Sequence, residues 1–369
     1  MIVSAERLVT AGHDGPGWLE IENGIVVARG PGARTGAFAT VIPGFVDMHA
    51  HGALGHDVGS TDAAGLADVI GYHAARGTTS LVASLATAPL DELTAAVARL
   101  RPFVENGDLV GIHLEGPYLS PLRRGAHNPE LLRAPALGEI RALVEAGGGA
   151  VRMITIAPEL DGAEESIRWL VAHGVVVALG HSDADAATAR NAFGWGATVV
   201  THLFNGMRPL HHRDPGLIAA ALLDERVTVE LILDGHHVAP EAASIVRREA
   251  QGRLALISDS MSATGCGDGD YDLAGSAVRV SGGIATLIDG DSLAGSTATV
   301  STGFAILASL GTTLPEAVEI TSTTPARALG LRVPLAVGGP ANLLVVDLLV
   351  ADRPAVTAVM RRGEWLASS

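Results

Sequence analysis

The chain has 369 residues, 48% of them hydrophobic, and a formal net charge of -15 at pH 7. This length suits one (β/α)8 barrel of roughly 250 residues with a small accessory domain, while the acidic balance excludes nucleic acid and anionic membranes as expected partners, because their recognition begins with a basic surface. All 25 residues counted as Lys plus Arg are arginine, which excludes a lysine Schiff base and a carboxylated-lysine metal bridge.

The N-terminal sequence and the cysteine content favour a soluble, cytoplasmic protein. Residues 1–15 lack the basic and apolar regions of a signal peptide. No apolar run reaches the roughly 18 residues that a membrane span requires. The single cysteine, Cys266, rules out an intramolecular disulfide and fits a reducing compartment. We therefore expect neither a membrane partner nor a disulfide framework.

The first and last segments of the chain are predicted to be β-rich. An opening pair of strand-like stretches is joined by a Glu-Asn-Gly turn at residues 22–24, and the sequence from residue 342 onwards is typical of short strands joined by polar turns. We expect the two segments to combine into one small β-sandwich domain, formed by residues 1–42 and 334–369.

Between these segments, apolar stretches alternate with amphipathic ones, as in βα units. Eight continuous apolar runs predict buried parallel strands, near residues 41–48, 78–84, 109–115, 152–157, 175–180, 197–202, 227–233 and 254–259. Helices are predicted near residues 62–76, 89–105, 136–146, 162–173, 183–195 and 239–250. Residues 268–296 predict hairpins, and helices near 297–310 and 314–322 complete a (β/α)8 TIM-type barrel over residues 43–333.

Several residues suited to metal binding or proton transfer stand at or just past the C-terminal ends of predicted strands. They are His49, His51, Glu115, His181, His202 and Asp259. Taken singly, each histidine is typical of a hydrogen-bonded core residue, and the glutamate of a salt-bridge partner. The C-terminal ends of barrel strands meet at one face, however, where such barrels carry their active sites. Imidazole and carboxylate ligands together indicate zinc or another first-row divalent ion.

One candidate, Asp259, has alternatives that the sequence leaves open. Asp259 follows the last predicted strand and could ligate a metal, accept a proton from an attacking water, or cap the next helix. His237 follows the seventh predicted strand and is suited to donate a hydrogen bond to a substrate carbonyl. His236 beside it is predicted to be structural, and His113 to be a packed, hydrogen-bonded histidine deeper in the barrel.

Ordered motifs along the chain resemble the sugar-phosphate deacetylase branch of the amidohydrolase superfamily. They are PGFVDMHAHG, HLEGPYLSPLRRGAHNPELL, LGHSDA, THLFNGMRPLHHRDPG, DGHHV, SDSMSATG and LAGST. The resemblance spans essentially the whole chain. It agrees with the absence of lysine, since other branches of the superfamily bridge two metals with a carboxylated lysine.

The resemblance implies roles for individual residues. Glu115, His181 and His202 match metal ligands, Asp259 matches the catalytic aspartate, and His237 matches the contact to the acetamide carbonyl. The implied substrate-binding residues are Ala126, His127, Asn205, Gly206, Arg213, His237, Leu293, Ala294, Gly295 and Ser296. Arg213 is expected to reach the substrate phosphate from the neighbouring subunit of a homodimer.

The number of metal ions follows from the histidine pair. Some members of the branch replace this pair and hold one ion, whereas this chain retains His49 and His51. We therefore expect one or two divalent ions per subunit, zinc first, with Fe, Mn, Co and Cd as alternatives. The second ion is expected to be bound more weakly or to be partly occupied.

The resemblance implies hydrolysis of N-acetylglucosamine 6-phosphate to glucosamine 6-phosphate and acetate, in amino-sugar catabolism and cell-wall recycling. One alternative keeps the metal chemistry and changes the substrate to N-acetylgalactosamine 6-phosphate or another N-acyl compound. A non-catalytic sugar-phosphate sensor would need a damaged ligand set, and no expected ligand is missing. A barrel with purely structural polar residues would bind no metal.

Overall fold

The computed structural model describes residues 1–290, 292–348 and 354–367. Residues 349–353 and 368–369 of the predicted C-terminal β segment lie outside the described residues. In chain order the strands are β1 (Ile2–Thr10), β2 (His13–Glu22), β3 (Ile25–Pro31), β4 (Phe38–Pro43), β5 (Phe45–Ala50), β6 (Gly52–Ala53), β7 (His56–Asp57), β8 (Thr78–Ala86), β9 (Gly111–Glu115), β10 (Val151–Ile156), β11 (Val176–Leu179), β12 (Val199–Val200), β13 (Thr228–Ile232), β14 (Leu254–Ile257), β15 (Gly269–Leu273), β16 (Ser276–Ser281), β17 (Ile284–Leu287), β18 (Leu343–Asp347), β19 (Ala355–Arg361) and β20 (Glu364–Trp365). The α-helices are α1 (Ala63–Ala75), α2 (Leu90–Glu105), α3 (Leu137–Gly147), α4 (Ala163–Ala172), α5 (Ala186–Trp195), α6 (Gly216–Leu223), α7 (Pro240–Glu249), α8 (Val300–Ser309), α9 (Leu314–Val318) and α10 (Thr324–Ala328).

Strands from both ends of the chain form one seven-stranded sheet, in the order β20-β19-β18-β4-β1-β2-β3. Val26 of β3 and Met360 of β19, from opposite halves of this sheet, belong to one buried apolar cluster that also includes Leu19 and Leu343. Because both halves share a core, the sheet folds over on itself as a small sandwich does. This confirms that the two termini combine into one β unit; its boundaries at residues 42 and 334 stay a prediction.

The barrel is built from eight parallel strands in the order β14-β13-β12-β11-β10-β9-β8-β5. Strands β5, β9 and β14 are buried along their whole length, as expected for strands covered on both sides. A parallel bridge between Ala50 and Ser260 joins the first and last strands just beyond β14. Below it, the Ser258 hydroxyl donates to the Asp47 carboxylate at 2.5 Å. The predicted (β/α)8 fold is confirmed.

Side-chain caps and left-handed glycines set the bounds of several helices. The Asp62 carboxylate accepts from the Gly65 N–H at the start of α1, and Asp185 caps α5 in the same way. Such caps stabilise a helix by about 1 kcal/mol. Helices α3 and α5 end where Gly148 and Gly196 adopt positive φ angles of 53° and 114°, a conformation that favours glycine.

The structure corrects two predicted elements. The apolar run at residues 41–48 is two strands, because the chain leaves the terminal sheet after β4 and enters the barrel as β5. Gly44 lies at this junction, and a Cβ there would overlap the side chain of Thr79. Helix α6 was not predicted. Its sequence, GLIAAALL, is apolar on every face, so it carries no amphipathic period.

The segment after β14 leaves the barrel and returns to it. Strands β15, β16 and β17 form an antiparallel sheet there, which confirms the predicted hairpins at residues 268–296. The chain then continues through α8 and α9, a π-helical turn at Glu319–Thr323, and α10. Within the described parts of the chain, no helix has both the length and the apolar character needed to cross a membrane.

Candidate active site

Glu115, the last residue of β9, lies at the centre of a buried cluster of imidazoles. Its Oε1 is 3.2 Å from His181 Nε2 and 3.0 Å from His202 Nε2. Its Oε2 is 3.4 Å from His49 Nε2 and 3.2 Å from His51 Nε2. One carboxylate therefore links two groups of candidate ligands, as a bridging carboxylate between two ions does.

Asp259 completes the group on the His49 side. Its Oδ1 lies 3.3 Å from His51 Nε2 and 3.5 Å from His49 Nε2, and the ligand atoms of these three residues lie close enough to share one ion. Ligand atoms about 2.05 Å from a tetrahedral zinc ion are about 3.3 Å apart. The observed separations match that spacing.

Three of these residues adopt backbone conformations that side chains other than glycine rarely occupy. The φ angles are 47° at His181, 28° at His202 and 49° at Asp259. Each follows a barrel strand, and each such conformation costs roughly 1–3 kcal/mol. Strain of this kind persists where the surrounding fold enforces it, and it concentrates at functional sites.

Hydrogen bonds fix the tautomer of three of the candidate ligand histidines. In each, Nδ1 faces a backbone carbonyl oxygen, which can only accept, so Nδ1 carries the proton and Nε2 presents its lone pair to a cation. The pairs are His51 with Ser84 at 2.9 Å, His181 with Arg123 at 2.8 Å, and His202 with Asn205 at 3.1 Å.

His127 has the opposite arrangement. Its Nδ1 accepts from the backbone N–H of Thr87 at 3.3 Å, which places the proton of the neutral ring on Nε2. That nitrogen lies 3.5 Å from Glu115 Oε2. Although Glu115, His127 and His181 are close enough to share an ion, the tautomer makes His127 a donor to Glu115. His202 is then the third candidate ligand on that side.

Glu230 is a buried acid of the site that the sequence analysis missed. It lies within β13, and its Oε2 accepts from the His202 N–H at 3.3 Å and lies 3.2 Å from His49 Nδ1. Its Oε1 is buried without a hydrogen-bond partner among the described residues. An acid inside the apolar run VTVELILD was the available signal, because fully buried glutamates are rare unless paired. His113 is packed as predicted, with hydrogen bonds to Ser84 and Thr155.

The electrostatics of the cluster favour a bound cation. Burial alone would lower the pKa of His49 and His51, but Glu115 and Asp259 raise the pKa of His49 well above its usual value and that of His51 to about 9. Burial would raise the pKa of Glu115, but the imidazoles, led by His49, lower it well below its usual range. His49 and His51 lower the pKa of Asp259 as well, so both buried carboxylates are ionised, and either protonated imidazoles or a bound cation can balance their charge. The donor set fits a divalent ion.

A cavity of about 330 Å³ opens onto this cluster. Its volume lies in the range of small-molecule sites. The predicted residues on its wall are Ala126, His127, Asn205, Gly206, His237, Leu293 and Gly295, together with the candidate ligands His51, Glu115, His181, His202 and Asp259. Ala294 and Ser296 are buried and do not line it.

Arg213 does not reach this cavity within its own chain. It is exposed, and its Nη1 lies 2.9 Å from His212 Nε2. Its predicted contact across a dimer therefore stays a prediction. The arginine on the cavity wall is Arg123, whose Nε donates to Asp183 at 2.7 Å. Sequence reasoning missed Arg123, although it lies in the quoted motif SPLRRGAHNP.

The fold and this cluster define a class of protein: (β/α)8 barrels that gather histidines and carboxylates around divalent ions at the C-terminal ends of their strands. The chain belongs to the Amidohydrolase family, whose sequence profile matches residues 40–366.

Two relatives and one solved structure are similar to this protein over most of its length. The N-acetylgalactosamine-6-phosphate deacetylase of Escherichia coli O157:H7 is 38% identical over 344 residues, covering 89% of this chain and 90% of its own. The N-acetylglucosamine-6-phosphate deacetylase of Vibrio furnissii is 38% identical over 297 residues, covering 79% and 74%. The solved structure of a mutant N-acetyl-D-glucosamine-6-phosphate deacetylase from Mycobacterium smegmatis, in complex with N-acetyl-D-glucosamine-6-phosphate, is 46% identical with a TM-score of 0.94. The match covers 99% of this chain and 98% of that one.

Proposed function

We propose that this protein hydrolyses the acetamide of N-acetylglucosamine 6-phosphate to glucosamine 6-phosphate and acetate. One observation carries the proposal: residues of the histidine and carboxylate cluster line a cavity of about 330 Å³. The fold that holds this cavity superposes on that of a substrate-bound deacetylase with a TM-score of 0.94. The reaction belongs to amino-sugar catabolism and cell-wall recycling.

The ligand sets suggest two ions that share Glu115. His181 and His202 would hold one ion with Glu115, and His49 and His51 would hold a second with Asp259. Zinc fits best, because imidazole and carboxylate donors at tetrahedral spacing suit it, and Fe, Mn, Co or Cd are the alternatives. A divalent ion bound there would act as a Lewis acid that acidifies water and polarises a carbonyl oxygen.

Asp259 is the proposed proton carrier. Burial would raise its pKa, but His49 and His51 lower it, so Asp259 is a carboxylate at neutral pH. It accepts a proton from the attacking water as the water oxygen bonds to the amide carbon. It then returns that proton to the nitrogen as the carbon–nitrogen bond breaks.

His237 is the proposed hydrogen-bond donor to the carbonyl oxygen. It lies on the cavity wall beside the cluster, so its ring can meet the oxygen on which negative charge develops during attack. A donor placed there stabilises the transition state more than the substrate.

The epimeric substrate, N-acetylgalactosamine 6-phosphate, is the second candidate. It is supported by the E. coli O157:H7 relative, which is named as an N-acetylgalactosamine-6-phosphate deacetylase and is 38% identical over 89% of this chain. The two hexosamine phosphates differ only in the orientation of one hydroxyl. The histidine and carboxylate cluster would face the acetamide in either case, so the loops that face the sugar ring would decide between the two substrates.

Acetate release from four substrates tests the proposal: both N-acetylhexosamine 6-phosphates and their unphosphorylated forms, with metal analysis of the same sample. We expect the glucosamine phosphate to have the highest kcat/KM, and at least one equivalent of divalent ion to be bound. Faster release from the galactosamine phosphate would favour the second candidate. No acetate from any of them, with the ions bound, would contradict a deacetylase.

We further propose a cytoplasmic homodimer in which Arg213 binds the phosphate in its partner's cavity. The exposure of Arg213 supports this. Mixing an Arg213→Gln chain with an Asp259→Asn chain should restore activity, since a mixed dimer contains one site with both native residues. The two variants must first be shown to exchange subunits. If the mixture is then no more active than each variant alone, the shared site is contradicted.

A further inference from the structure

A single buried carboxylate organises the loop that carries His237. Asp234 Oδ1 accepts from the backbone N–H groups of His236 at 2.9 Å and His237 at 3.0 Å. Its Oδ2 lies 2.7 Å from His237 Nδ1 and accepts from the Ser296 hydroxyl at 2.9 Å. The side chains of Asp234 and His237 are each 6% exposed. Four donors thus hold this carboxylate in one orientation.

Ser296 connects this carboxylate to the backbone of Asp259. Its N–H donates to the Asp259 carbonyl at 2.8 Å, and its own carbonyl accepts from Met261 at 2.9 Å. A continuous chain of hydrogen bonds therefore runs from Asp259 through Ser296 and Asp234 to His237. It joins three loops that are distant in sequence, those after β13, β14 and β17.

We propose that Asp234 and Ser296 are positioning residues that hold the His237 ring in a fixed place relative to Asp259, so that both side chains meet one substrate carbonyl. This assigns Ser296 a role behind the cavity wall in place of the predicted substrate contact. The inference rests on the proposed function, because it concerns how the two proposed catalytic side chains are placed relative to each other.

The chemistry of a carboxylate explains why Asp234 suits this task. An ionised carboxylate only accepts, so the proton between the two side chains belongs to His237 Nδ1, and Nε2 is the ring nitrogen left for the cavity. Hydrogen bonds to His237 and to the loop keep Asp234 ionised, since they lower its pKa although burial would raise it. When His237 also carries a proton on Nε2, the adjacent carboxylate balances the positive charge. Asp234 then both orients the His237 ring toward the carbonyl oxygen and stabilises its positive charge.

A double-mutant cycle of Asp234→Asn and His237→Asn tests the proposal. We expect His237→Asn to lower kcat by about 100- to 1,000-fold, as loss of one oxyanion donor does. Asp234→Asn should lower kcat by about 10- to 100-fold with little change in KM, because the ring remains but is less well held. The double variant should be no slower than His237→Asn, since Asp234 acts through that ring.

Ser296→Ala and a matched control complete the design. Ser296→Ala removes one of the four donors to Asp234 and should lower kcat less than Asp234→Asn, in the same direction. If Asp234→Asn does not fold, Ser296→Ala combined with His237→Asn provides the same cycle. Asp185→Asn changes a carboxylate that also accepts a backbone N–H, at the start of α5, and should leave kcat unchanged.

The outcomes separate this inference from the proposed function. The unsubstituted protein is assayed first, and failure to release acetate would overturn the proposed function whatever the cycle shows. If it does release acetate, losses that multiply in the double variant would overturn the positioning role. Normal kcat in folded, metal-loaded Asp234→Asn would overturn it as well.

Discussion

Asp259 combines two properties that are rarely found together, burial and ionisation. Replacing it with asparagine keeps its shape and removes its capacity to accept a proton. We expect Asp259→Asn to lower kcat by at least about 1,000-fold, within the range for loss of a general acid–base. The ion bound by Glu115, His181 and His202 should remain, so metal analysis should still find at least one equivalent. Near-normal acetate release from this variant would contradict the assigned role.

Glu230 is predicted to set the strength of the second ion site. Its carboxylate lies 3.2 Å from His49 Nδ1, and such partners orient a ligand imidazole and make it a better donor. We expect Glu230→Gln to weaken one of the two binding events by about 10- to 100-fold, as measured by titrating metal-free protein. Glu316→Gln, which removes the partner of Arg247 at 3.1 Å near the surface, is the control. If both metal-binding affinities are unchanged in Glu230→Gln, this role is contradicted.

The sequence identified the candidate metal ligands better than the residues that hold those ligands in place. His181 and Glu115 are identifiable because each is a polar residue at or just past the end of a buried strand, and the C-terminal strand ends of a barrel face one site. Glu230 and Asp234 act through partners instead. Glu230 meets His49 across 181 positions of sequence, and no local pattern records such a pairing. Asp234 follows a strand like the ligands do, but it faces His237 and not the cluster.

The spacing of hydrophobic residues predicted most strands and helices of the barrel. It failed where hydrophobic residues are continuous and show no regular spacing. The amphipathic helices and apolar strands were placed within a few residues. Helix α6 has no polar face, because six of its eight residues are buried, so its sequence lacks the period that distinguishes a helix from a buried strand. The division between β4 and β5 depends on Gly44 passing close to Thr79, a contact made only in the folded chain.

The loop after β9 is predicted to supply a cation for the substrate phosphate. Arg123 lines the cavity, and among the residues that the structure describes only its Nε is paired, with Asp183 at 2.7 Å. The two terminal nitrogens of its guanidinium are then left for an anion. We expect Arg123→Gln to raise KM for the phosphorylated substrate about 10-fold or more and to change kcat/KM for the unphosphorylated sugar little. The carbonyl that holds His181 is unaffected, because it belongs to the backbone.

Arg208→Gln is the matched control for this substitution. Arg208 also donates to Asp183, at 2.8 Å, but it does not line the cavity. If Arg123 acted only by holding Asp183, the two variants would show the same preference for phosphorylated over unphosphorylated substrate. Equal preferences would therefore contradict a direct role in binding phosphate.

The whole molecule is acidic, with a formal net charge of -15, yet its proposed substrate is an anion. Long-range attraction therefore cannot draw the substrate in, and recognition depends on positive charge concentrated inside the cavity. Closure of the barrel brings histidines from residue 49 to residue 202 around Glu115, where a bound divalent ion would add that positive charge. The sequence predicted that these residues meet, but the register of the eight strands decided which atoms face each other.

Removal of divalent ions should make the stability of the molecule depend on pH in a defined window. In the metal-free cluster, Glu115 and Asp259 raise the pKa of His51 to about 9, above its usual 6.5. The folded state therefore binds this proton more tightly than the unfolded chain does. The resulting stability, up to about 3 kcal/mol, is fully present below pH 6.5 and is lost as the pH rises through 9. We expect the Tm of chelated protein to fall over this interval, whereas zinc-loaded protein, whose His51 is unprotonated throughout, should not show this loss. Parallel Tm profiles for the two forms would contradict an ion site at His51.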